Sequence, residues 1–300
     1  MVQVDSDVTI GVCLAQSTST LSDTSDSARL DAEVLLAHVM DKTRTYFYTW
    51  PEKFISALDY AQFQRLLKRR QNGEPIAYIV GEKEFWSHAF LVNPSTLIPR
   101  GDTELLVELT LPILDRMLAK ERESDQLKNM RPKVLDLGTG TGALALSIAK
   151  EYPQVDVQGV DVSTDAITLA EQNKARLCAG NCRLYVSDWF SAVHDDFDII
   201  VSNPPYIDEH DPHLAQGDVR FEPLSALTAN DEGLSDLDVI AATAPRFLTI
   251  GGTLLVEHGW KQGRSVRDIF MRYGFVDVET VQDLNGNDRV TLGVFKKKKG

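Results

Sequence analysis

Residues 133–146 read K-V-L-D-L-G-T-G-T-G-A-L-A-L: an apolar run, glycines at 138, 140 and 142, then a helix-forming segment. Glycine tolerates backbone angles closed to other residues and leaves room for a ligand against the chain, so this pattern opens a strand–turn–helix crossover unit. The rhythm continues downstream. Strand candidates at 133–137, 155–160, 183–186, 197–201, 252–257, 275–281 and 289–295 follow one another, most of them separated by helical patterns. That alternation predicts an α/β fold with a doubly wound, mainly parallel seven-stranded sheet. The last two candidates are joined by a Gly-containing turn, N-G-N-D, without room for a helix, which predicts a closing hairpin and one antiparallel strand.

The first third of the chain has a different character. Residues 1–27 are polar and rich in Ser, Thr and Asp, whereas Leu30, Val34, Leu35 and Val39 recur at helical spacing. A second helix is expected from 58 to 71, stopped by Asn72-Gly73. Residues 1–75 thus read as a small helical N-terminal domain. His38, alone beside an apolar stripe, reads as structural. Phe85, Trp86, Phe90 and Val92 flank Asn93-Pro94 and suggest a hairpin linker over 76–100. A helix is expected over 102–120, then a charged exposed loop, all within a second domain spanning 101–300.

With 300 residues and 43% hydrophobic content the chain has ample material for a core. Its net charge of −13 argues against a protein that grips bare nucleic acid, which needs a Lys/Arg surplus. Acids outnumber Lys and Arg over residues 1–90 as well, leaving no basic reading domain. Cys13, Cys178 and Cys182 are too few for a disulfide framework and lack the companions of a metal site, so they read as reduced thiols and no metal is expected. Acids stand where a secretory leader carries positive charge, and no apolar run reaches membrane-spanning length. A cytoplasmic protein without membrane partners is expected. Lysines 296–299 read as a solvated terminus.

The glycine turn alone leaves the cofactor open, since Gly138, Gly140 and Ala143 also satisfy the dinucleotide fingerprint G-x-G-x-x-A. Asp161, ending the second strand, suits ribose hydroxyls in either case. Two features favour S-adenosyl-L-methionine. Asp136 places a carboxylate beside the turn, where a pyrophosphate meets repulsion and a cationic amino-acid moiety does not. The third strand runs into S-D-W-F, giving Asp188 as acceptor for an adenine amine and Trp189 as a wall for the base.

The fourth strand delivers V-S-N-P-P-Y-I-D to the carboxyl edge of the sheet, where ligands of such folds bind. Pro204 and Pro205 end the strand and stiffen the loop. In that loop the Asn203 side-chain oxygen and the Pro204 carbonyl can accept both N–H bonds of a planar amide or amino nitrogen, and Tyr206 can stack on its flat face. These residues are the catalytic candidates.

In these segments the chain resembles the HemK/PrmC family of protein-(glutamine-N5) methyltransferases. The resemblance covers A-R-L-D-A-E-V-L-L-A-H, G-E-K-E-F-W, T-L-I-P-R, D-L-G-T-G-T-G, S-D-W-F, N-P-P-Y-I-D and R-F-E-P-L-S-A-L. N-P-P-Y alone is shared with amino-nucleobase methyltransferases; the combination is specific. The family implies a Rossmann-like class I methyltransferase fold and cofactor contacts from Gly138, Thr139, Gly140, Thr141, Gly142, Asp161, Trp189 and Asn203. It implies a substrate glutamine held by Asn203, Pro204, Pro205 and Tyr206, in the G-G-Q tripeptide of class-one peptide chain release factors. Glutamine methylation of a ribosomal protein and adenine-N6 or guanine-N2 methylation of nucleic acid are the alternatives. A monomer with no direct nucleic-acid contact is expected. The family's I-P-R-P-D-T-E appears as I-P-R-G-D-T-E, so Gly101 replaces a proline and is expected to loosen that turn.

Overall fold

The computed structural model describes residues 5–123 and 131–296. Lysines 297–299 and much of the expected charged loop lie outside them. The chain divides into one unit of residues 1–82 with 215–221 and a second of residues 83–214 with 222–300.

The first unit contains β1 (Asp5–Thr9), α1 (Ile10–Leu21), α2 (Ala28–Met40), α3 (Arg44–Thr49), β2 (Phe54–Ser56), α4 (Ala57–Gln71) and α5 (Ile76–Val80), with β1 and β2 antiparallel. Helix α1 falls where a polar segment was expected. Its apolar face is carried by Ile10, Cys13, Leu14 and Leu21, and the hydroxyls of Ser17, Thr18 and Thr20 donate back to the carbonyls of Cys13, Leu14 and Gln16. Those internal bonds satisfy side chains that otherwise compete with a helix. These residues pack with Leu35, Leu36, Phe47, Ile55 and Phe63 into one core. At its margin Arg70, with a 9% exposed side chain, donates to Asp31 at 2.7 Å and to Asp218 at 2.7 Å. Segment 215–221 is thereby tied into this unit.

The second unit opens with the hairpin β3 (Glu82–Phe85) and β4 (His88–Leu91), then α6 (Glu104–Glu123). The hairpin turns at Trp86-Ser87 and not at Asn93-Pro94. Both turn residues adopt left-handed φ, 50° and 58°, as a two-residue primed turn requires. Trp86 is held there by its backbone N–H donating to Glu104 and its indole to Glu151. The sheet follows, with strands β5 (Lys133–Leu137), β6 (Asp156–Asp161), β7 (Cys182–Val186) and β8 (Phe197–Ser202). Helices α7 (Ala143–Glu151) and α8 (Thr164–Leu177) make the first crossovers. After the short pair β9 (Ile207–Asp208) and β10 (Thr228–Ala229) come α9 (Asn230–Gly233), α10 (Ser235–Thr243), β11 (Leu248–Glu257), α11 (Gly263–Arg272), β12 (Phe275–Gln282) and β13 (Asp288–Phe295).

The seven main strands lie in the order β12-β13-β11-β8-β5-β6-β7, with β13 antiparallel to both neighbours and the other central pairs parallel. Alternation along β5 sends Val134 to a core shared with α6, α7 and α8, and Leu135 and Leu137 to one shared with α10 and α11. The product is a three-layer sandwich. Its strand order reverses between β5 and β8, and the crevice that such a switch point opens lies at the carboxyl ends of these strands. Among the described residues no helix is long and apolar enough to cross a membrane.

Removing one member of a buried ion pair leaves the other charge uncompensated, at a cost of roughly 3 to 5 kcal/mol. Arg70→Met should therefore destabilise the first unit by about that amount, and adding Asp31→Asn should recover part of it. Hydrogen exchange at core amides of α2 and α4 provides the readout. Unchanged protection in Arg70→Met would remove the pair from the account.

Candidate active site

The glycine turn after β5 is built from below by carboxylates. Gly138, Gly140 and Gly142 all adopt left-handed φ, at 71°, 53° and 82°. At Gly142 the restriction is also spatial, since a Cβ would lie 2.8 Å from Leu146 Cδ1. Asp136 shares its face of the sheet with Val134 and is fully buried. Its Oδ2 accepts the Thr139 hydroxyl at 2.6 Å and the Ala145 N–H, in the first turn of α7, at 3.2 Å. Burial pushes this carboxyl up to about 7. Asp161 works from the neighbouring strand: Oδ2 accepts the Gly140 N–H and Oδ1 the Ser163 N–H, each at 2.9 Å. It too is raised by burial, an effect its backbone hydrogen bonds oppose.

These elements surround a cavity of about 300 Å³. Gly138, Thr139, Gly140 and Thr141 form one wall and Asp161 a flank, while Asp188 and Trp189 stand at the end of β7. The Trp189 ring lies over Gly138, where an added Cβ would meet it at 3.7 Å. Trp189 itself has φ 44°, and Ser187 holds that strained turn by donating its hydroxyl to the Trp189 carbonyl at 2.8 Å. Asn203 and Pro205 reach the cavity from the end of β8. Register brings them there: Leu137 pairs with Ser202, whose hydroxyl donates to the Leu137 carbonyl at 2.8 Å.

Four of the expected residues stand off the cavity wall. Asp136 lies behind the turn and shapes it, instead of facing a ligand; its Oδ1 is buried with no hydrogen-bond partner among the described residues. Gly142 caps α7. Pro204 is buried. Tyr206, expected to stack on a substrate, directs its hydroxyl to Glu257 Oε1 at 3.0 Å. Burial, first of all, keeps that phenol protonated.

Other walls come from residues to which the sequence assigned no role, although most of them fall in T-L-I-P-R and R-F-E-P-L-S-A-L. Thr96, Leu97, Pro99 and Arg100 line the cavity from the segment before α6, Ser225 and Ala226 from the loop after β9, and Asp236 from α10. The buried Glu222 ties two of these together by accepting the Ile98 N–H at 3.0 Å and pairing with Arg100. Asp236 is raised by its burial and by the nearby Asp188.

Among the described residues Asp161, Asp188 and Asp236 give the cavity three carboxylates, and its one wall cation, Arg100, is already paired. A pyrophosphate there would face repulsion, so the dinucleotide reading fails on charge. A nucleoside with a ribose diol, a flat base and a positive group suits these walls. On a doubly wound sheet with N-P-P-Y at its switch point, that combination defines an S-adenosylmethionine-dependent methyltransferase.

Curated relatives narrow the class. The chain is 51% identical over 276 residues to the release factor glutamine methyltransferase of Shewanella oneidensis, covering 91% of each chain. It is 49% identical over 292 residues to that of Vibrio cholerae, covering 96% of this chain and 98% of the relative. The chain belongs to the release factor glutamine methyltransferase family. The family model described as PrmC N-terminal domain matches residues 13–81, and the one described as methyltransferase small domain matches residues 117–219. Among solved structures, a methyltransferase from Pyrococcus furiosus superposes with a TM-score of 0.50 over 78% of this chain and 98% of that one. At 18% identity that likeness concerns the fold alone.

Arg100 has extended angles, φ −101° and ψ 146°, which a following proline demands, and Gly101 opens a 3₁₀ turn with no atom within 4 Å of an added Cβ. The folded backbone at this turn therefore has room for a proline. Gly101→Pro should stabilise the protein by about 0.4 to 1 kcal/mol by restricting the unfolded chain. A lowered Tm on thermal denaturation would show that the turn needs glycine after all.

Hydrogen bonds to a charged acceptor contribute about 1.5 to 3 kcal/mol each. Asp161→Ala should accordingly weaken S-adenosylmethionine binding by at least about tenfold. Titration calorimetry measures this directly, and an unchanged affinity would reject Asp161 as a cofactor ligand.

Proposed function

We infer that the protein methylates the side-chain amide nitrogen of a glutamine in peptide chain release factors, using S-adenosylmethionine. Membership of the release factor glutamine methyltransferase family carries this reading. The finer assignment, to the glutamine of the G-G-Q tripeptide in class-one factors, is what the family resemblance implies, and the N-P-P-Y loop is able to hold such an amide.

S-adenosylmethionine supplies an electrophilic methyl group on a sulfonium. Gly138–Thr141 would hold its amino-acid portion, Asp161 its ribose, and Asp188 with Trp189 its base. Everything else falls to the loop after β8. A primary amide is a poor nucleophile because its nitrogen lone pair is delocalised into the carbonyl. Two acceptors that take both N–H bonds raise electron density on that nitrogen and fix its direction. Asn203 provides one through Oδ1, since its Nδ2 is already engaged with Thr103 Oγ1 at 3.0 Å. The Pro204 carbonyl provides the other; it belongs to the peptide joining Pro204 to the cavity-lining Pro205. Its ring being buried, Pro204 cannot swing away. Tyr206 acts by anchoring the loop to Glu257. No strong base is needed: as the N–CH3 bond forms, the S–CH3 bond would break and S-adenosylhomocysteine leave, and the positively charged N-methyl amide so formed is acidic enough to lose its proton to water. Proximity and orientation account for most of the rate.

A glutamine on a loop offers too little surface to identify a protein, and a stable interface buries about 800 Å² on each partner. The first unit, matched by the PrmC N-terminal domain model, is assigned to recognising the release factor. The enzyme acts as a monomer in the cytoplasm and makes no direct contact with nucleic acid.

Purified protein should transfer labelled methyl groups to a release factor in preference to a ribosomal protein or DNA. Asn203→Ala should cut single-turnover transfer by roughly 100- to 1,000-fold, the scale of losing one positioned catalytic hydrogen bond, with the Tm nearly unchanged. Asn203→Asp keeps an acceptor and should retain more activity than the alanine variant. An alanine variant that is less stable but turns over normally would reduce Asn203 to a strand cap and defeat this reading.

A further inference from the structure

Pro204 and Pro205 have no N–H, so the stretch that presents the substrate acceptors cannot be pinned through its own amides. Upstream, the side chains of Ser202 and Asn203 hold it. Downstream, the Tyr206 hydroxyl reaches Glu257. The Tyr206 carbonyl has a partner as well: Gln262 Nε2 donates to it at 3.1 Å and to the Glu232 carbonyl at 2.9 Å. Gln262 Oε1 meanwhile accepts the Gly259 N–H at 2.8 Å. These partners fix which way the amide lies, because reversing it would set its oxygen against two carbonyls and its NH2 against an N–H.

Both sides of this clamp are tightly built. Gln262 ends the turn G-W-K-Q after β11, where its own N–H donates to the Gly259 carbonyl at 2.9 Å, and its carbonyl accepts the Val266 N–H in α11 at 2.9 Å. Opposite, Asp231, Glu232 and Gly233 follow one another at φ 54°, 57° and 79°. Residues with a Cβ adopt such a left-handed run only where their surroundings impose it. A Cβ on Gly233 would lie 2.0 Å from the Tyr206 carbonyl oxygen and 2.9 Å from Gln262 Nε2. The left-handed turn therefore closes directly on the N-P-P-Y loop, and it leads into α10, whose Asp236 lines the cavity. We propose that Gln262 is a positioning residue for methyl transfer: it braces the Tyr206 carbonyl against the left-handed turn before α10, and so keeps Asn203 and the Pro204 carbonyl where they take the two N–H bonds of the substrate amide.

The proposal rests on the reading of Asn203 and Pro204 as acceptors for a glutamine amide, and its test has an arm independent of turnover. Gln262→Glu keeps the acceptor for Gly259 but, in either protonation state, cannot donate to both carbonyls. Gln262→Met removes acceptor and donors alike. A side chain that served only to close the turn after β11 would tolerate the first change and not the second. In 15N NMR the Gln262 side-chain NH2, assigned by its absence in Gln262→Glu, should be protected from solvent exchange in the wild type, and the Gly259 amide should stay protected in Gln262→Glu. Kinetically, Gln262→Glu should lower kcat on a whole release factor at least about tenfold, with cofactor affinity and the KM for the release factor within about threefold. Gln262→Met should lose a similar factor. Gly233→Ala, whose Cβ cannot share space with the Tyr206 oxygen, should slow the enzyme likewise. The double variant Gln262→Glu, Gly233→Ala should be no slower than the slower single, because both release the same carbonyl. Gln262→Glu at full rate, a loss confined to KM, multiplying losses, or an unprotected NH2 in the wild type would overturn the proposal. Should Gln262→Glu fail to fold, a Gly233→Ala enzyme at the wild-type rate would overturn it equally. A wild-type enzyme that transfers no methyl group to any release factor, yet keeps the protected NH2, would instead sink the functional reading.

Discussion

The hydrogen bond from the Gly140 N–H to the Asp161 carboxylate joins the two halves of the cofactor wall. It ties the turn after β5 to the end of β6, and the same carboxylate takes the N–H of Ser163, where α8 begins. Three left-handed glycines have no intrinsic reason to stay in one shape. Asp161 from the side and Asp136 from beneath give them one. Gly159 on β6 completes the fit, because a Cβ there would lie 2.8 Å from the Thr139 hydroxyl that reaches Asp136. With the turn held, register along β5 and β8 sets Asn203 beside it. The glycine wall of the cavity and the N-P-P-Y loop are thus two consequences of one sheet edge.

Charge then selects among ligands that this edge might otherwise accept. A glycine turn on a doubly wound sheet is neutral toward cofactor class, and its helix N-terminus would welcome a phosphate. Asp161, Asp188 and Asp236 reverse that preference. The acidic balance of the whole chain, net −13, points the same way at long range. A protein substrate approaches such a surface more readily than a polyanion does.

Much of this was legible in the sequence, for reasons that can be named. All seven main strands lie within a few residues of their expected positions; β5, β6 and β8 were plain because parallel strands buried on both faces are near-continuous apolar runs. The N-D-turn hairpin of β12 and β13 followed from chain length alone. Helix α1 was missed because Ser and Thr weigh against helices until their hydroxyls find carbonyls inside one. The turn at Trp86-Ser87 carries no Asn-Gly signature, and its geometry comes from Glu104 and Glu151, distant in sequence. Asp136 was placed at the ligand by its nearness to the glycines, though strand alternation puts it on the face of Val134, under α7. Tyr206 was aimed at the substrate because its partner, Glu257, stands 51 residues away with no local cue. Ser225 lies in R-F-E-P-L-S-A-L, a segment marked only by resemblance, and Asp236 reaches the cavity from a helix start whose spacing encodes nothing about a site.

Methyl transfer to a glutamine turns on which atom of the loop meets which atom of its amide. A crystal structure with S-adenosylhomocysteine and a glutamine-containing release factor fragment examines that contact directly. The glutamine Nε2 should lie at hydrogen-bonding distance, about 3 Å, from both Asn203 Oδ1 and the Pro204 carbonyl, with Asn203 Nδ2 still on Thr103. A glutamine turned so that its own oxygen faces Asn203, or one bound away from the N-P-P-Y loop, would contradict it.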